Sequence, residues 1–401
     1  DEVSDYFQII NNITFGGKEK RVYLDINAFR ATSIGHGTIV KRYNPNMNFN
    51  TRRIQAEFDG FTDYFGGELY VDNVTGPNVT GGLVFFKPLS LIDRDNYAMR
   101  SFSIGGQFFA DINAPLRNIL DDDDLDGDGR RWTEIEVDQE TFQPNHVKSM
   151  VIAYGVSTEV KIWDERALDW KTYVDYSFLE TGVPTDSDPS VQEPNYVNIP
   201  TRHIRSGGFT WGNLFRMNFG RELVHALRLR LEFRNYDPHY IPSYFDTLYD
   251  VQRVQFPMTS PDLVNQTKLQ QVLGRPSDGA RVNGGYAELS YRVGNYFAMA
   301  LGVEVSDTAP DNSLFVHLEV PKLGPWNFVA TYQRRNAETI GSLFDLELKP
   351  TDFLLMQTRF NIVDIFHVAV EVMTPFGIGP ESLFQNVFQV NFNMELGFKY
   401  L

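Results

Sequence analysis

Closely spaced carboxylates form the sharpest chemical signal in the sequence. Residues 121–136 have the sequence DDDDLDGDGRRWTEIE and contain the pattern Asp-x-Asp-x-Asp-Gly twice, in overlapping frames. A calcium ion takes about six to eight oxygen ligands, and a glycine after alternating carboxylates permits the tight turn that gathers them. We therefore expect a calcium site in this loop, and the alternative is a solvated acidic loop that only attracts counterions. The expected ligands are Asp122, Asp124, Asp126, Asp128, Glu134 and Glu136.

The acidic run resembles the calcium loops of EF-hands, dockerins and thrombospondin-type repeats. Counted from Asp122 or Asp124, its twelfth position is Thr133 or Ile135, so the acidic residues that follow come one place late. No helical pattern flanks the run. An EF-hand itself is therefore not expected.

Catalytic chemistry finds little support elsewhere in the chain. There is no Cys, which excludes disulfides, cysteine-ligated zinc, iron–sulfur clusters and a thiol nucleophile. None of the seven His has a metal-ligand spacing, and no serine stands in a Gly-x-Ser-x-Gly context. The sequence thus predicts no enzymatic activity.

Charged residues recur at every second position of several segments. Between residues 227 and 234, four charged residues alternate with three leucines and a phenylalanine, which a strand sorts onto two faces and a helix does not. If the strands close around a lumen, we expect the polar face to line a pore. The alternative is a lattice of salt bridges that fills or stiffens the interior. The expected pore-lining residues are Arg228, Arg230, Glu232, Arg234, Glu57, Asp59, Glu319, Arg359 and Glu371.

The same alternation extends over most of the 401 residues, so the elements that position these side chains are strands. Helical patterns are nearly absent, no apolar run is long enough for a membrane-spanning helix, and no linker divides the chain. The sequence predicts an all-β fold in a single domain over residues 1–401, with an acidic loop insertion at 114–148 and a long loop at 237–283. The chain begins with Asp1, so we expect a processed form whose export signal has been removed.

Seventeen or eighteen candidate strands suit either soluble sandwiches or a closed membrane barrel. The aromatic residues decide, because they recur at strand ends, where the aromatic girdle of a membrane barrel lies. We therefore predict a transmembrane antiparallel up-and-down β-barrel with 16 or 18 strands and long loops. The strand count puts the long connections 114–148 and 237–283 on the same side as the C-terminus, whereas long loops are expected on the other side. Either one strand in the C-terminal half is miscounted or the expectation about loop sides fails here, and we favour a miscount.

The last strand carries a resemblance to a known class of proteins. Its residues Phe392, Met394, Leu396, Phe398 and Tyr400 alternate with polar or small residues. The chain resembles the bacterial outer-membrane β-barrels, which typically close with such a strand ending in an aromatic residue, although Leu401 here follows the aromatic. The resemblance implies an outer membrane of a Gram-negative bacterium as the location and outer-membrane lipid as a partner.

The expected function is that of a porin-like channel for passive diffusion of small hydrophilic solutes or ions. One alternative is a partner barrel that houses or docks a periplasmic or extracellular protein for secretion, polymer export or electron conduction. A second alternative is an outer-membrane hydrolase. A nucleic-acid partner is not expected, because 52 acidic residues outnumber 36 Lys and Arg. Outside the acidic loop the net charge is still negative, which predicts a weak preference for cations.

Overall fold

The alternating segments fold as strands throughout. A computed structural model describes residues 12–18, 20–27, 30–47, 53–93, 95–118, 145–165, 167–181, 203–220, 224–253, 267–275, 279–307, 312–337, 339–345, 352–363, 366–373 and 389–396. Seventeen of its strands belong to one sheet, and the fold is all-β. Two further strands of two residues each form a small separate pair.

The sheet strands, in chain order, are β1 (Asn12–Gly16), β2 (Val22–Asn27), β4 (Gln55–Phe61), β5 (Phe65–Val71), β6 (Val79–Phe86), β7 (Ser103–Asn118), β8 (His146–Asp164), β9 (Leu168–Thr181), β10 (Arg205–Phe219), β11 (His225–Tyr236), β13 (Val282–Val293), β14 (Phe297–Ser306), β15 (Asn312–Leu323), β16 (Trp326–Ala337), β17 (Asp352–Val363), β18 (Phe366–Met373) and β19 (Gln389–Leu396). The separate pair consists of β3 (Val40–Lys41) and β12 (Phe245–Asp246). The helices are α1 (Tyr97–Ser101), α2 (Tyr249–Gln252) and α3 (Lys268–Gly274), with 3₁₀ turns at Pro88–Leu91 and Gly341–Phe344.

Each sheet strand pairs antiparallel with the next sheet strand along the chain, from β1 to β19. This meander puts alternate connections at the same edge. One edge carries mostly short turns, such as residues 62–64, 294–296 and 324–325. The opposite edge carries all the longest connections, including those after β7, β9 and β11.

The expected miscount in the C-terminal half is confirmed. Residues 341–344 form a 3₁₀ turn instead of a strand, because the Arg334 guanidinium binds the carbonyls of Ser342 at 2.7 Å and Asp345 at 2.9 Å. Without that strand, the long connections lie on the edge opposite the end of β19. The predicted strand number of 16 or 18 differs from the 17 sheet strands of the described residues, since β1 is added and 341–344 is removed.

The two predicted loops have different bounds from those expected. Residues 114–118 continue β7 and residues 146–148 begin β8, because long antiparallel strands extend their pairing beyond a bulge at Asp111 to Ala114. Residues 282 and 283 likewise belong to β13. The described parts of the rest of the 237–283 connection, residues 237–253, 267–275 and 279–281, include β12, α2 and α3.

Two connections pack on the polar face of the sheet, and we call them the first inner segment (residues 30–47) and the second inner segment (residues 237–253 and 267–275). The short strands β3 and β12 join them through a parallel pairing of Val40 with Phe245 and of Lys41 with Asp246. Buried aromatic residues from both segments and the sheet form the main core, including Tyr43, Phe109, Tyr244, Phe245 and Tyr249.

The sheet curves around these inner segments. Residues of β5, β7, β8, β9, β11, β13, β15, β16 and β17 all contact them. Eleven steps separate β5 from β17, which in a flat sheet would put the two strands roughly 50 Å apart. Strong curvature is therefore required. In the described part of the chain, no helix has the length and apolar character needed to cross a membrane.

Candidate functional site: the polar face and the inner segments

The two faces of β11 show an inverted distribution of polar and apolar residues. Arg230, Glu232 and Arg234 are buried, with at most 6% of their surface exposed. Leu231 and Phe233, which alternate with them, are 44% and 47% exposed. A soluble protein buries its apolar residues and seldom buries charges. This strand does the opposite.

The inversion recurs around the sheet. Glu57 and Asp59 of β4 are buried while Phe58 between them is exposed, and in β9 Asp175 is buried between the exposed Val174 and Tyr176. Contiguous apolar patches of this extent are unusual on soluble proteins. Further exposed apolar residues on the sheet strands are Phe15, Phe65, Leu69, Val84, Phe86, Ile104, Phe108, Val156, Trp163, Trp211 and Leu289.

The predicted pore-lining residues share the polar face. Arg228, Glu319 and Arg359 are half-buried, in contrast to the buried Glu57 and Asp59. Glu371 pairs directly with Gln357 across β17 and β18, although its side chain lies outside the described residues. Whether these residues line an open pore stays a prediction.

Two of the three arginines on the polar face of β11, Arg230 and Arg234, are neutralised by carboxylates within the sheet, which we call the wall. Arg234 binds Glu232 at 2.5 Å and also contacts Glu304 of β14, and Arg230 lies 3.5 Å from Glu232. The Tyr173 hydroxyl donates a further hydrogen bond of 2.6 Å to Glu232. Such contacts satisfy the buried charges, so the salt-bridge lattice considered from the sequence is present at this part of the wall.

His36 lies at the tip of the first inner segment and joins several strands. Its flanking residues Gly35 and Gly37 have positive φ angles of 55° and 79°, which glycine adopts without a side-chain clash. Its Nδ1 lies 2.9 Å from Asp175 and its Nε2 lies 2.8 Å from Glu159. Its ring also stacks on Tyr173 at 3.9 Å.

The charge of His36 follows from these contacts. Burial alone would lower the pKa of His36, but the carboxylates of Asp175 and Glu159 outweigh it and raise the pKa to about 8. Arg230 donates a hydrogen bond of 2.6 Å to the His36 carbonyl, and Glu68 accepts one of 3.2 Å from the Gly35 amide. At neutral pH a protonated His36 ring therefore holds the tip to β8 and β9, and the two backbone hydrogen bonds hold it to β11 and β5.

Asp250 of α2 anchors the second inner segment. Arg53 binds it at 2.7 Å, and the Tyr43 hydroxyl donates a hydrogen bond of 3.4 Å to it. Arg53 also lies 3.2 Å from Asp72, at the end of β5. In α2 as well, the Tyr249 hydroxyl donates a 2.8 Å hydrogen bond to Asp111 of β7.

An acidic group stands on the neighbouring strands β2, β4 and β5. Asp25 pairs directly with Glu57, and Asp59 pairs with Glu68. Lys18 binds Glu57 at 2.5 Å, and Arg30 binds Asp25 at 3.1 Å. Both buried carboxylate oxygens of Asp59 have no hydrogen-bond partner in the described part of the chain.

A small cavity lies where the two inner segments meet the wall. Its volume is about 90 Å³, enough for a few water molecules. Its lining includes Lys41, Arg42, Tyr240, Asp246 and Phe315. The cavity is therefore polar and aromatic at once, and it is too small to be an open pore on its own.

The calcium prediction falls outside the described residues, because residues 119–144 are not among them. The predicted ligands Asp122, Asp124, Asp126, Asp128, Glu134 and Glu136 all lie in that range. Within the described ranges, no group of three or more His, Asp or Glu side chains is placed to hold a metal ion. Calcium binding stays a prediction.

Sequence reasoning missed the first inner segment and His36. The signal that could have found them is Gly35-His36-Gly37 in a connection of more than twenty residues between β2 and β4, which is far too long for a turn. Comparison with known proteins adds no assignment: no protein-family model matches the chain, and no curated protein is significantly similar to it.

Proposed function

We propose that the protein is an outer-membrane β-barrel that conducts small hydrophilic solutes or ions through a lumen narrowed by its two inner segments. The observation that carries the proposal is the inverted distribution on the sheet, with Arg230, Glu232 and Arg234 buried and Leu231 and Phe233 exposed. Lipid in place of water around the sheet accounts for both halves of this pattern.

The connections support the same proposal. Outer-membrane barrels carry short turns on the periplasmic edge and longer loops on the extracellular edge. The meander shows this asymmetry, and β19 ends at the edge of short turns. That edge would face the periplasm, as expected for a terminal strand of this class.

Strand direction determines how the proposed barrel would close. Sixteen consecutive antiparallel pairings leave β1 and β19 running in the same direction, so a barrel closed by these two strands would contain one parallel pair. A barrel of 17 strands is wide enough to leave a channel. The inner segments would occupy part of this channel. We therefore favour a narrowed passage and not a wide diffusion pore.

The inner segments also bear on the alternatives. A partner barrel needs its lumen free for another protein, whereas here His36, Arg42 and Asp250 fix the chain's own segments against the wall. Hydrolysis gains no support from the histidines whose contacts are described, because none of them contacts a serine. His36 and His203 bind carboxylates, His225 contacts the Tyr291 hydroxyl, and His317 binds Thr331. A channel is the function that these contacts favour.

The test combines membrane embedding with conductance. The chain has no Cys, so single cysteines introduced at Leu231 and at Asn295 can each carry a spin label in liposomes. We expect the Leu231 label to collide with oxygen and not with a polar nickel complex, and the Asn295 label, in a short turn, to collide with the nickel complex.

In parallel, Leu231→Arg should impair assembly, since a lipid-facing Arg costs about 2 to 4 kcal/mol at the midplane.

Planar-bilayer recordings then test the passage itself. Wild-type protein should give discrete conductance steps under an applied voltage. A label at Leu231 that reports water, or folded and inserted protein that conducts no ions, would contradict the proposal, and the second result would favour a partner barrel.

A further inference from the structure

Arg42, Arg216 and Arg228 form a group of three basic residues on the polar face. Arg216 of β10 and Arg228 of β11 are directly paired, so their side chains are neighbours on one face. Arg42 belongs to the first inner segment and binds Glu288 of β13 at 2.9 Å. Arg230, Arg216 and Arg42, in decreasing order, are the cations whose charges act on Arg228. Like charges so close together disfavour the fold unless something compensates them.

The compensating charge is missing at Arg228. Arg230 and Arg234, on the same strand, have carboxylate partners, but Arg228 makes no ion pair in the described part of the chain. Its Nε atom is buried without a hydrogen-bond partner. Glu288, on the neighbouring strand, is already bound by Arg42 and by the Tyr286 hydroxyl at 2.6 Å. A partly buried cation without a direct carboxylate partner is unfavourable, and an anion would stabilise it.

Arg42 is held in place by its backbone and its neighbours. Its φ angle is 50°, which is unusual for a residue with a side chain, and such outliers cluster at functional sites. The Ser33 hydroxyl accepts a 2.8 Å hydrogen bond from the Arg42 amide, and its guanidinium lies 4.1 Å from the ring centre of Phe315. The arginine is therefore ordered before any ligand arrives.

Access to the group is possible because Arg42, Arg216 and Arg228 are all half-buried, unlike the fully buried Arg234. Arg216 and Arg228 also stand closer than Arg230 to the turn at residues 220–224, which belongs to the edge of short turns. A solute that enters from that edge meets Arg228 before it meets the ion pairs of Arg230 and Arg234.

We propose that Arg228, together with Arg42 and Arg216, binds small anions that carry a carboxylate or a phosphate group. The planar guanidinium donates two parallel hydrogen bonds to either group, which a lysine does not. This inference rests on the proposed channel and names the class of solute that it favours. The acidic group of β2, β4 and β5 stands elsewhere on the wall, so the anion site is local and does not follow from the net charge of the chain.

The experiment uses inorganic phosphate and acetate as probes on full-length protein. Equilibrium binding of each probe is measured to refolded protein in detergent, and block of the chloride current by each probe is measured in planar bilayers. We compare wild type with Arg228→Gln, with the charge-conserving Arg228→Lys, and with Arg292→Gln as a matched control. Arg292 lies on β13 near the same edge, where it binds the Gly294 carbonyl and Asn295.

We expect Arg228→Gln to weaken both binding and block by about tenfold or more, since a charge-assisted bidentate contact is lost. Arg228→Lys should recover part of the affinity, and Arg292→Gln should behave as wild type. Because Arg228 makes no ion pair among the described residues, its loss should leave heat-modifiability of the folded protein unchanged.

The outcomes separate the site from the channel. Conductance without probe binding, or binding that is equal in wild type and Arg228→Gln, overturns the anion site and leaves the channel standing. Saturable binding that Arg228→Gln removes, in protein that conducts nothing, upholds the site and overturns the channel. Absence of both binding and conductance overturns both.

Discussion

At the scale of single residues, alternation in the sequence predicts the face on which a side chain lies, whereas its contacts are known only from the structure. The alternation around Arg230 correctly indicated the face on which it lies, because a strand turns successive side chains to opposite sides. From the sequence alone, one would expect a residue that lines water to tolerate substitution. The contacts reverse this expectation, since Arg230 binds both Glu232 and the carbonyl of His36. Partners more than one hundred residues away in sequence cannot be inferred from local pattern.

His36 leads to a prediction about pH. The folded pKa of about 8 is higher than the ordinary value near 6.5, so the protonated ring stabilises the folded chain. This stabilisation is complete below about pH 6.5 and is lost as the pH rises through about 8, a loss of roughly 2 kcal/mol. The groups that face the ring are Asp175, Glu159, Lys171, Glu68 and Tyr173.

Urea unfolding in detergent between pH 6 and 9 checks the prediction. Wild-type protein should lose stability across this range, and His36→Gln should remove most of the pH dependence. His203→Gln is the control, because His203 is exposed and binds Glu180 at the far end of β9. Equal pH dependence in wild type and His36→Gln would show that the ring does not pin the segment.

At the scale of elements, most strands could be predicted and the connections could not. Strict alternation identified long strands such as β11. The strand predicted at 341–349 was wrong in its described part, because residues 341–344 form a 3₁₀ turn in which Arg334 binds the carbonyls of Ser342 and Asp345. The inner segments carry no periodic pattern. Their positions depend on pairings such as Val40 with Phe245, which join parts of the chain that are about two hundred residues apart. Sequence pattern predicts secondary structure better than it predicts which distant segments meet.

The acidic loop yields a prediction at the same scale. We expect residues 121–136 to bind calcium with a saturable heat signal in titration calorimetry, because eight carboxylates in sixteen residues repel one another until a cation neutralises them. Changing Asp124, Asp126 and Asp128 to Asn should abolish the signal. Binding should weaken in acid, since the ligand oxygens must be ionised. Flat titrations of both proteins would refute the site.

At the scale of the whole molecule, the number of sheet strands favours a wide lumen in the proposed barrel, whereas the inner segments narrow it. In the proposed barrel, seventeen strands would provide room for an aqueous lumen, and the inner segments would fill part of it with a core of tyrosines and phenylalanines. The two segments are joined to each other through β3 and β12, and His36 and Asp250 hold them in place. The proposed passage would therefore depend on a small number of buried ion pairs, and loosening one of them should widen it.

Asp250 is the most direct place to test this dependence. Arg53 and Arg253 both face its buried carboxylate, and Arg53 keeps a second partner in Asp72. Asp250→Ala leaves Arg253 with Asp111 and should cost roughly 3 to 5 kcal/mol of the contacts that hold the second inner segment. The sheet has its own hydrogen bonds and should persist.

We therefore expect larger and noisier single-channel conductance from Asp250→Ala, with unchanged strand content by circular dichroism. Asp164→Ala, at the end of β8, where Asp164 pairs with Lys161, should conduct as wild type. If Asp250→Ala has the wild-type conductance despite lower stability, the second inner segment does not narrow the passage.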